Sequence, residues 1–287
     1  MGDPLTGKEY IARSIQSDPG NPEAHNVLIS QLTREGDLQS TGAAIEFALQ
    51  QCPDSATILH KAGLHYYTAG DVNKAEKALS KAVELDPHST TLALSMAEFY
   101  FKANSLDKAL EAYESVRHLS PLDTSSRIRL SQMYLEKGQL DEAWICLDEL
   151  VNLESQKGEF NDLMAAYWLK RGNQLFSERK FNEAEAAYSK SLEFHPLFAS
   201  AVSNRVLALL NLDRARDAAD FVGRFLDENP DALFACQLMA EIHFAVGQSG
   251  TAAEWLERGL DEAKRHGAEK EVLQFRQLIQ RISVTGP

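Results

Sequence analysis

Four prolines, Pro19, Pro53, Pro87 and Pro121, stand at a constant interval of 34 residues. A fixed period in this range marks a chain built by stacking one small unit many times, which rules out most other folds at once. The unit is clearest at Ala56–Pro87, ATILHKAGLHYYTAGDVNKAEKALSKAVELDP. Apolar residues recur at helical spacing on both sides of Ala69-Gly70-Asp71. The stretch therefore predicts two short amphipathic helices, a turn between them and a stop at Pro87. Helices this short are marginal in water, so neither stands without a neighbour to cover its apolar face.

Charge narrows the partners. Lys and Arg are outnumbered by Asp and Glu to a net charge of -13, against an unremarkable 44% apolar and 25% charged content. Nucleic acid needs clustered cations, and anionic membrane surfaces disfavour such a chain equally. No apolar run approaches the roughly 18 residues needed to span a bilayer, so direct membrane insertion is not expected. The opening MGDPLTGKEYIARS has neither the basic nor the apolar region of a signal peptide. Cys52, Cys146 and Cys236 are far apart and odd in number, and read as small buried hydrophobes.

Counting back from Pro19, residues 5–19 form a half repeat, a second helix whose first helix is missing, with Ile11 and Ile15 as its core residues. An array that begins in mid-repeat leaves an apolar face uncovered. The chain thus reads as a segment of a longer, bacterial-type protein, and self-association through that half repeat is one expectation. Any targeting signal would lie upstream, leaving cytoplasm and periplasm both open. Complete repeats follow at 22–53, 56–87, 90–121 and 124–155. An insertion at 158–164 sets the next repeat seven residues late, and repeats resume at 165–196, 199–230 and 233–263. The array thus occupies 1–268. Residues 269–287 read as a capping helix and tail, with Val272, Phe275, Ile279 and Ile282 along one stripe.

Gly36, Gly70, Gly138 and Gly247 occur where the first helix of a repeat ends, a place that favours left-handed backbone. Asn104, Arg179 and Asp213 replace glycine elsewhere. Small residues recur at Gly63, Ala97, Ser131, Gly172 and Ala240 in the first helices, and at Ala75, Ala109, Ala143, Ala184, Ala218 and Ala252 in the second. Missing bulk lets paired helices approach closely. Larger residues such as Tyr66, Leu79, Tyr113 and Tyr188 fill the gaps between.

On these residues the chain resembles a known family. AEKALSKAVELDP, DKALEAYESV and NEAEAAYSKSLEFHP are similar to the second-helix consensus of the tetratricopeptide repeat, and the likeness covers about nine-tenths of the chain. The resemblance implies an all-α, right-handed superhelical solenoid of antiparallel helix pairs, with about seven repeats, the leading half repeat and the C-terminal capping helix. Thr41-Gly42, Ile29 and Val206 depart from the small-residue pattern, and the insertion departs from a uniform pitch.

Catalysis is not expected. No phosphate loop, nucleophile elbow or metalloprotease helix is present. His60 and His65 lie about 140° apart around one helix, and His25, His118, His195 and His243 lack partners at ligand spacing. No enzyme activity, cofactor or metal is therefore predicted.

In this family the first helices line the inner, concave groove, so the resemblance implies their exposed positions as the binding surface. In register these are Asn26; His60, Lys61, Leu64 and Tyr67; Leu94, Glu98 and Phe101; and Arg129, Gln132 and Leu135. Leu169, Lys170, Asn173 and Phe176 continue the face, followed by Asn204 and Leu207, then Phe234, Leu238 and Phe244. Tyr67, Phe101, Leu135, Phe176, Leu210 and Phe244 form an apolar ladder that suits an extended or helical peptide, or that packs neighbouring repeats. WLKRGNQLF and SNRVLALL resemble the start of a carboxylate clamp for acidic C-termini, with Asn173 and Asn204 as its asparagines. The clamp's cation positions are Leu169, Phe234 and Leu238, which cannot bond a carboxylate, so the clamp reads as broken.

The implied function is a non-catalytic protein–protein interaction scaffold that binds a peptide or protein segment. Two alternatives are an accessory region of a bacterial envelope machine (exopolysaccharide export, pilus or outer-membrane assembly) and the recognition domain of a larger enzyme. The packing argument has its own test: Ala109→Leu or Ala143→Leu should overpack a helix contact and cost roughly 1–3 kcal/mol. A thermal melt should show a lowered midpoint, and an unchanged one would break the register.

Overall fold

A computed structural model of the protein describes residues 4–120, 123–151 and 157–284. Among these residues there are sixteen helices and no strand. They are α1 (Pro4–Ser17), α2 (Pro22–Glu35), α3 (Leu38–Gln51), α4 (Ala56–Thr68), α5 (Val72–Leu85), α6 (Thr90–Lys102), α7 (Leu106–Leu119) and α8 (Thr124–Lys137). The second eight are α9 (Leu140–Leu150), α10 (Lys157–Ser177), α11 (Phe181–Phe194), α12 (Ala199–Asn211), α13 (Ala215–Glu228), α14 (Leu233–Ala245), α15 (Ser249–Arg265) and α16 (Glu269–Val284). Pro121, the end of the 124–155 repeat at 152–155 and the tail at 285–287 lie outside the described residues.

Local chemistry sets the ends of these helices. Side-chain oxygens of Asn21, Ser55 and Ser89 accept the otherwise orphaned N–H groups opening α2, α4 and α6, and Asp37 and Asp71 do the same for α3 and α5. Pro19, Pro53 and Pro87 fall in the turns after the second helices, where no helix bond needs their missing N–H. The corners within repeats are left-handed. Gly36, Gly70, Gly138 and Gly247 have φ of 76°, 85°, 72° and 79°, and Asn104, Arg179 and Asp213 adopt 56°, 60° and 58°. At Gly70 the reversal lets its N–H reach Tyr67 O at 3.0 Å and the N–H of Asp71 reach Tyr66 O at 2.9 Å, so the helix end is closed by its own chain.

The chain divides into two compact units, Met1–Met133 and Tyr134–Pro287, with the boundary inside α8. In the first unit α2 packs on α3, α4 on α5 and α6 on α7, and each pair leans on the next through α3–α4 and α5–α6. Ile29, Ile45, Ala48, Ile58, Ala62 and Ala78 form one continuous core cluster there. Helix α1 lies against α2 with Ile11 and Ile15 half-buried, while Tyr10 is 74% exposed. In the second unit α10–α11, α12–α13 and α14–α15 pair in the same way, and α16 packs on α15. Phe275 of α16 enters the core cluster that holds Val202, Phe225, Met239 and Leu256.

Helix pairing depends on absent side-chain bulk. A methyl group added at Gly63 would stand 2.5 Å from Leu79 Cγ, and one at Gly172 would stand 2.5 Å from the Tyr188 ring. Ala75, Ala109, Ala143, Ala184, Ala218 and Ala252 are all fully buried. The departures from the small-residue pattern are absorbed, since Ile29 and Val206 are each 1% exposed. Residues 158–164 do not form a break between repeats; they are the opening turns of α10, which runs to 21 residues against 13 in α4. Seven residues are close to two helical turns, so the extension keeps the apolar stripe almost in line and Leu163 and Met164 are buried.

Arg179 holds a left-handed conformation that disfavours a Cβ. Arg179→Gly should raise unfolding stability by about 1 kcal/mol, whereas Gly172→Ala should lower it, both read by denaturant titration.

Candidate functional site

First helices lie beside first helices. α2 contacts α4 in the first unit, and α10 contacts α12, which contacts α14, in the second. His60 of α4 reaches Ser95 of α6 at 2.7 Å through Nε2. The Arg129 guanidinium of α8 sits 5.1 Å over the Phe101 ring of α6. First helices thus present neighbouring faces within each unit, and the candidate residues differ in how far they are exposed there.

In the first unit Asn26, His60, Lys61, Tyr67, Leu94, Phe101 and Gln132 are half-buried, while Leu64, Glu98 and Arg129 are exposed. Tyr67 turns its edge to Phe99 with ring centres 5.6 Å apart, so this rung of the ladder serves packing as well as surface. Burial lowers the His60 imidazole from its ordinary range, and the neighbouring Lys61 charge adds to the effect. Burial also lowers Lys61. Behind this face Tyr113 is pushed up to about 12, first by burial and then by the Glu98 carboxylate.

In the second unit Leu169, Phe176, Asn204 and Phe234 are half-buried, and Lys170 and Asn173 are exposed. Leu207 and Phe244 are each 45% exposed. Leu135 and Leu238 are only 4% and 5% exposed, and Leu238 belongs to the core cluster under α14. The ladder read from the sequence is thus uneven: Leu135 is buried, Phe176 meets Phe181 edge-on at 5.1 Å, and Phe244 stands open.

Three consecutive helices build the most specific feature. Gly172 lets the Tyr188 ring of α11 press against α10. The Tyr188 hydroxyl then donates to Asn173 Oδ1 at 3.0 Å, and Asn204 Nδ2 of α12 donates to the same oxygen at 2.8 Å. Asn173, Phe176, Ser177, Tyr188, Asn204 and Leu207 line a recess of 230 Å³. Burial pushes the Tyr188 phenol up to about 12, so it remains a donor across the physiological range. The amide pair is then held in one arrangement, leaving the Asn173 amide N–H groups, the second Asn204 amide N–H and the Asn204 carbonyl as the pair's remaining donors and acceptor.

The cation positions of a carboxylate clamp remain apolar here. Leu169 is half-buried, Phe234 meets Phe225 edge-on at 5.6 Å, and Leu238 is in the core. Lys170 shares a polar recess with Asp141 and Glu142. Arg205 is turned away from the asparagines, paired with Glu185 at 2.7 Å and stacked 4.5 Å over Phe221. A further recess of 330 Å³, floored by Ala240, Leu256 and Leu278 and rimmed by Gln237, Glu241, Phe244 and Arg281, lies between α14, α15 and α16.

Sequence spacing treats Tyr188 as a gap filler and misses its hydroxyl. It also passes over Asp231, Glu262 and His266, whose ligand atoms lie within 4.8 Å of one another. Glu262 and His266 are one helical turn apart, a readable signal, but Asp231 joins them only through the stacking of repeats.

Two family models described as tetratricopeptide repeat match the chain, over residues 66–121 and 94–151. No protein of curated function matches the sequence. Among solved structures, the chain is similar to one titled Naa15/Naa10 bound to HypK-THB, with a TM-score of 0.62 and 17% identity over 92% of this chain and 39% of that one. It spans well under half of that chain. It is also similar to YrrB, described as a TPR protein with an unusual peptide-binding site, with a TM-score of 0.52 and 18% identity over 67% of this chain and 95% of that one. A tetratricopeptide repeat protein from Parabacteroides merdae ATCC 43184 aligns with a TM-score of 0.50 and 16% identity, covering 91% and 98% of the two chains. At these identities the likeness concerns the fold.

The raised phenols set an alkaline limit. A folded value near 12 for Tyr113 and Tyr188 lies above the unfolded value of about 10. Their contribution is therefore whole below about pH 10 and is lost as pH climbs through about 12. Ultraviolet titration should show these two tyrosines ionising only as the helical signal falls, and Tyr188→Phe should remove one late ionisation.

Proposed function

The chain is a tetratricopeptide repeat protein of all-helical solenoid fold, and from that premise we propose that it is a non-catalytic interaction scaffold whose first-helix face takes an extended protein segment. The family is generally non-catalytic. The observation that carries the reading is the Tyr188–Asn173–Asn204 chain beneath an open recess. A peptide unit offers one N–H and one C=O, and the amide pair has one acceptor and donors left to meet them. Leu207 and Phe176 on the same recess supply apolar contact for a side chain of that segment. In the first unit Lys61, Arg129 and the Phe101 ring offer cationic and aromatic contacts despite the overall charge of -13.

Because Leu169, Phe234 and Leu238 replace the clamp cations, the recognised feature is an internal stretch of backbone with apolar side chains, not a terminal carboxylate. The test is selection of peptides from a displayed library on the wild-type protein, followed by affinity measurement on Asn173→Ala with Asn204→Ala. The double variant should weaken binding by roughly 10- to 100-fold while helical content is kept. Amidating the C-terminus of a selected peptide should change little. Unchanged affinity in the double variant would place the ligand elsewhere.

A further inference from the structure

The geometry points to a divalent metal site of the zinc class at Asp231, Glu262 and His266, joining the end of α15 to the turn between α13 and α14. Glu262 in the last turn of α15 and His266, which caps its C-terminus in helical backbone geometry, are four apart, which puts both ligands on one face. His266 Nε2 is 3.3 Å from Asp231 Oδ1 and 3.5 Å from Glu262 Oε1. Both separations exceed the roughly 2.7–2.9 Å of a charge-assisted N–H···O bond. They match instead the edge of a ligand tetrahedron, which is about 3.3 Å when nitrogen and oxygen stand about 2.0–2.1 Å from zinc. All three ligand atoms lie within 4.8 Å of one another, so small side-chain rotations bring the third edge into range.

Comparison of repeats adds an independent argument. Asp54 follows Pro53 as Asp231 follows Pro230, and Asp54 Oδ1 is neutralised by Lys81 at 2.8 Å. The residue standing as far beyond Gly247 as Lys81 stands beyond Gly70 is Arg258, whose guanidinium lies 4.8 Å over the Trp255 ring. Asp231 faces a second carboxylate and an imidazole in place of an ammonium group. Helix α15 is also 17 residues long, against 14 in α5, α7, α11 and α13, and the added length brings His266 up to the turn. The second oxygen of Glu262 is held by Arg265 at 2.6 Å, which aims Oε1 at the site as an outer partner orients a ligating carboxylate. One imidazole and two carboxylates suit Zn²⁺, Co²⁺, Ni²⁺ or Cu²⁺ over Ca²⁺ or Mg²⁺, which take oxygen alone. Asp231 is largely exposed, so a fourth position is open to water.

The experiment is calorimetric titration of untagged protein with zinc chloride, paired with the visible absorption of added Co²⁺. One equivalent should bind with micromolar affinity and raise the melting temperature. His266→Ala and Glu262→Gln should each lose at least tenfold in affinity, the loss that follows removal even of a supporting partner. His118→Ala, at an exposed position of α7, should bind as the wild type does. Because Glu262 and His266 lie at the C-terminal end of α15 and neither is fully buried, circular dichroism should show every variant folded. No binding at millimolar zinc would overturn the site. So would unchanged affinity in folded His266→Ala, or Ca²⁺ binding as tightly as Zn²⁺.

Discussion

The close approach of paired helices is the contact on which everything else depends. Gly63 beneath Leu79 and Gly172 beneath Tyr188 leave no room for a methyl group, and the alanines of the facing helices are fully buried. Contact at this range gives short helices the dispersion and apolar burial that they lack alone. It also fixes where side chains on the outer faces stand. The Tyr188 hydroxyl reaches Asn173 because its ring lies flush on Gly172, so a packing device and a candidate recognition device share one pair of residues.

Fold and site were unequally legible in the amino-acid order. Period, corners and small residues are local or repeated signals, and the left-handed backbone at all seven corner positions appears even where Arg179 occupies the place of glycine. The seven extra residues at 158–164 were visible as a phase shift, but not as helix; only their near-integral number of turns, seen in α10, explains why the stacking absorbs them. The candidate face was less legible, because exposure depends on neighbours. Leu135 and Phe244 hold equivalent register positions, yet one is 4% and the other 45% exposed. Contacts across repeats, such as His60 to Ser95 and Asn204 to Asn173, join residues more than thirty apart and carry no pattern within one unit.

Electrostatics divides similarly. The net charge of -13 is spread over helix faces and turns, whereas Lys61 and Arg129 stand on the first-helix face and Arg205 is spent on Glu185 and Phe221. Cations of one type thus take opposite roles according to which helix of a pair faces them. Lysine and arginine counts alone could not have separated the two.

The lengthened α10 has a bearing on how such arrays tolerate change. Each helical residue turns the face by 100°, so seven added residues rotate it by only about -20°, while three would swing it by about -60° and present polar positions to the neighbouring pair. Insertions into a first helix are thereby quantised: whole double turns pass, and intermediate lengths are filtered out by packing before any ligand is involved. Leu163 and Met164, buried in the added turns, show that such an increment also brings its own apolar surface, so the array gains reach without losing its neighbours.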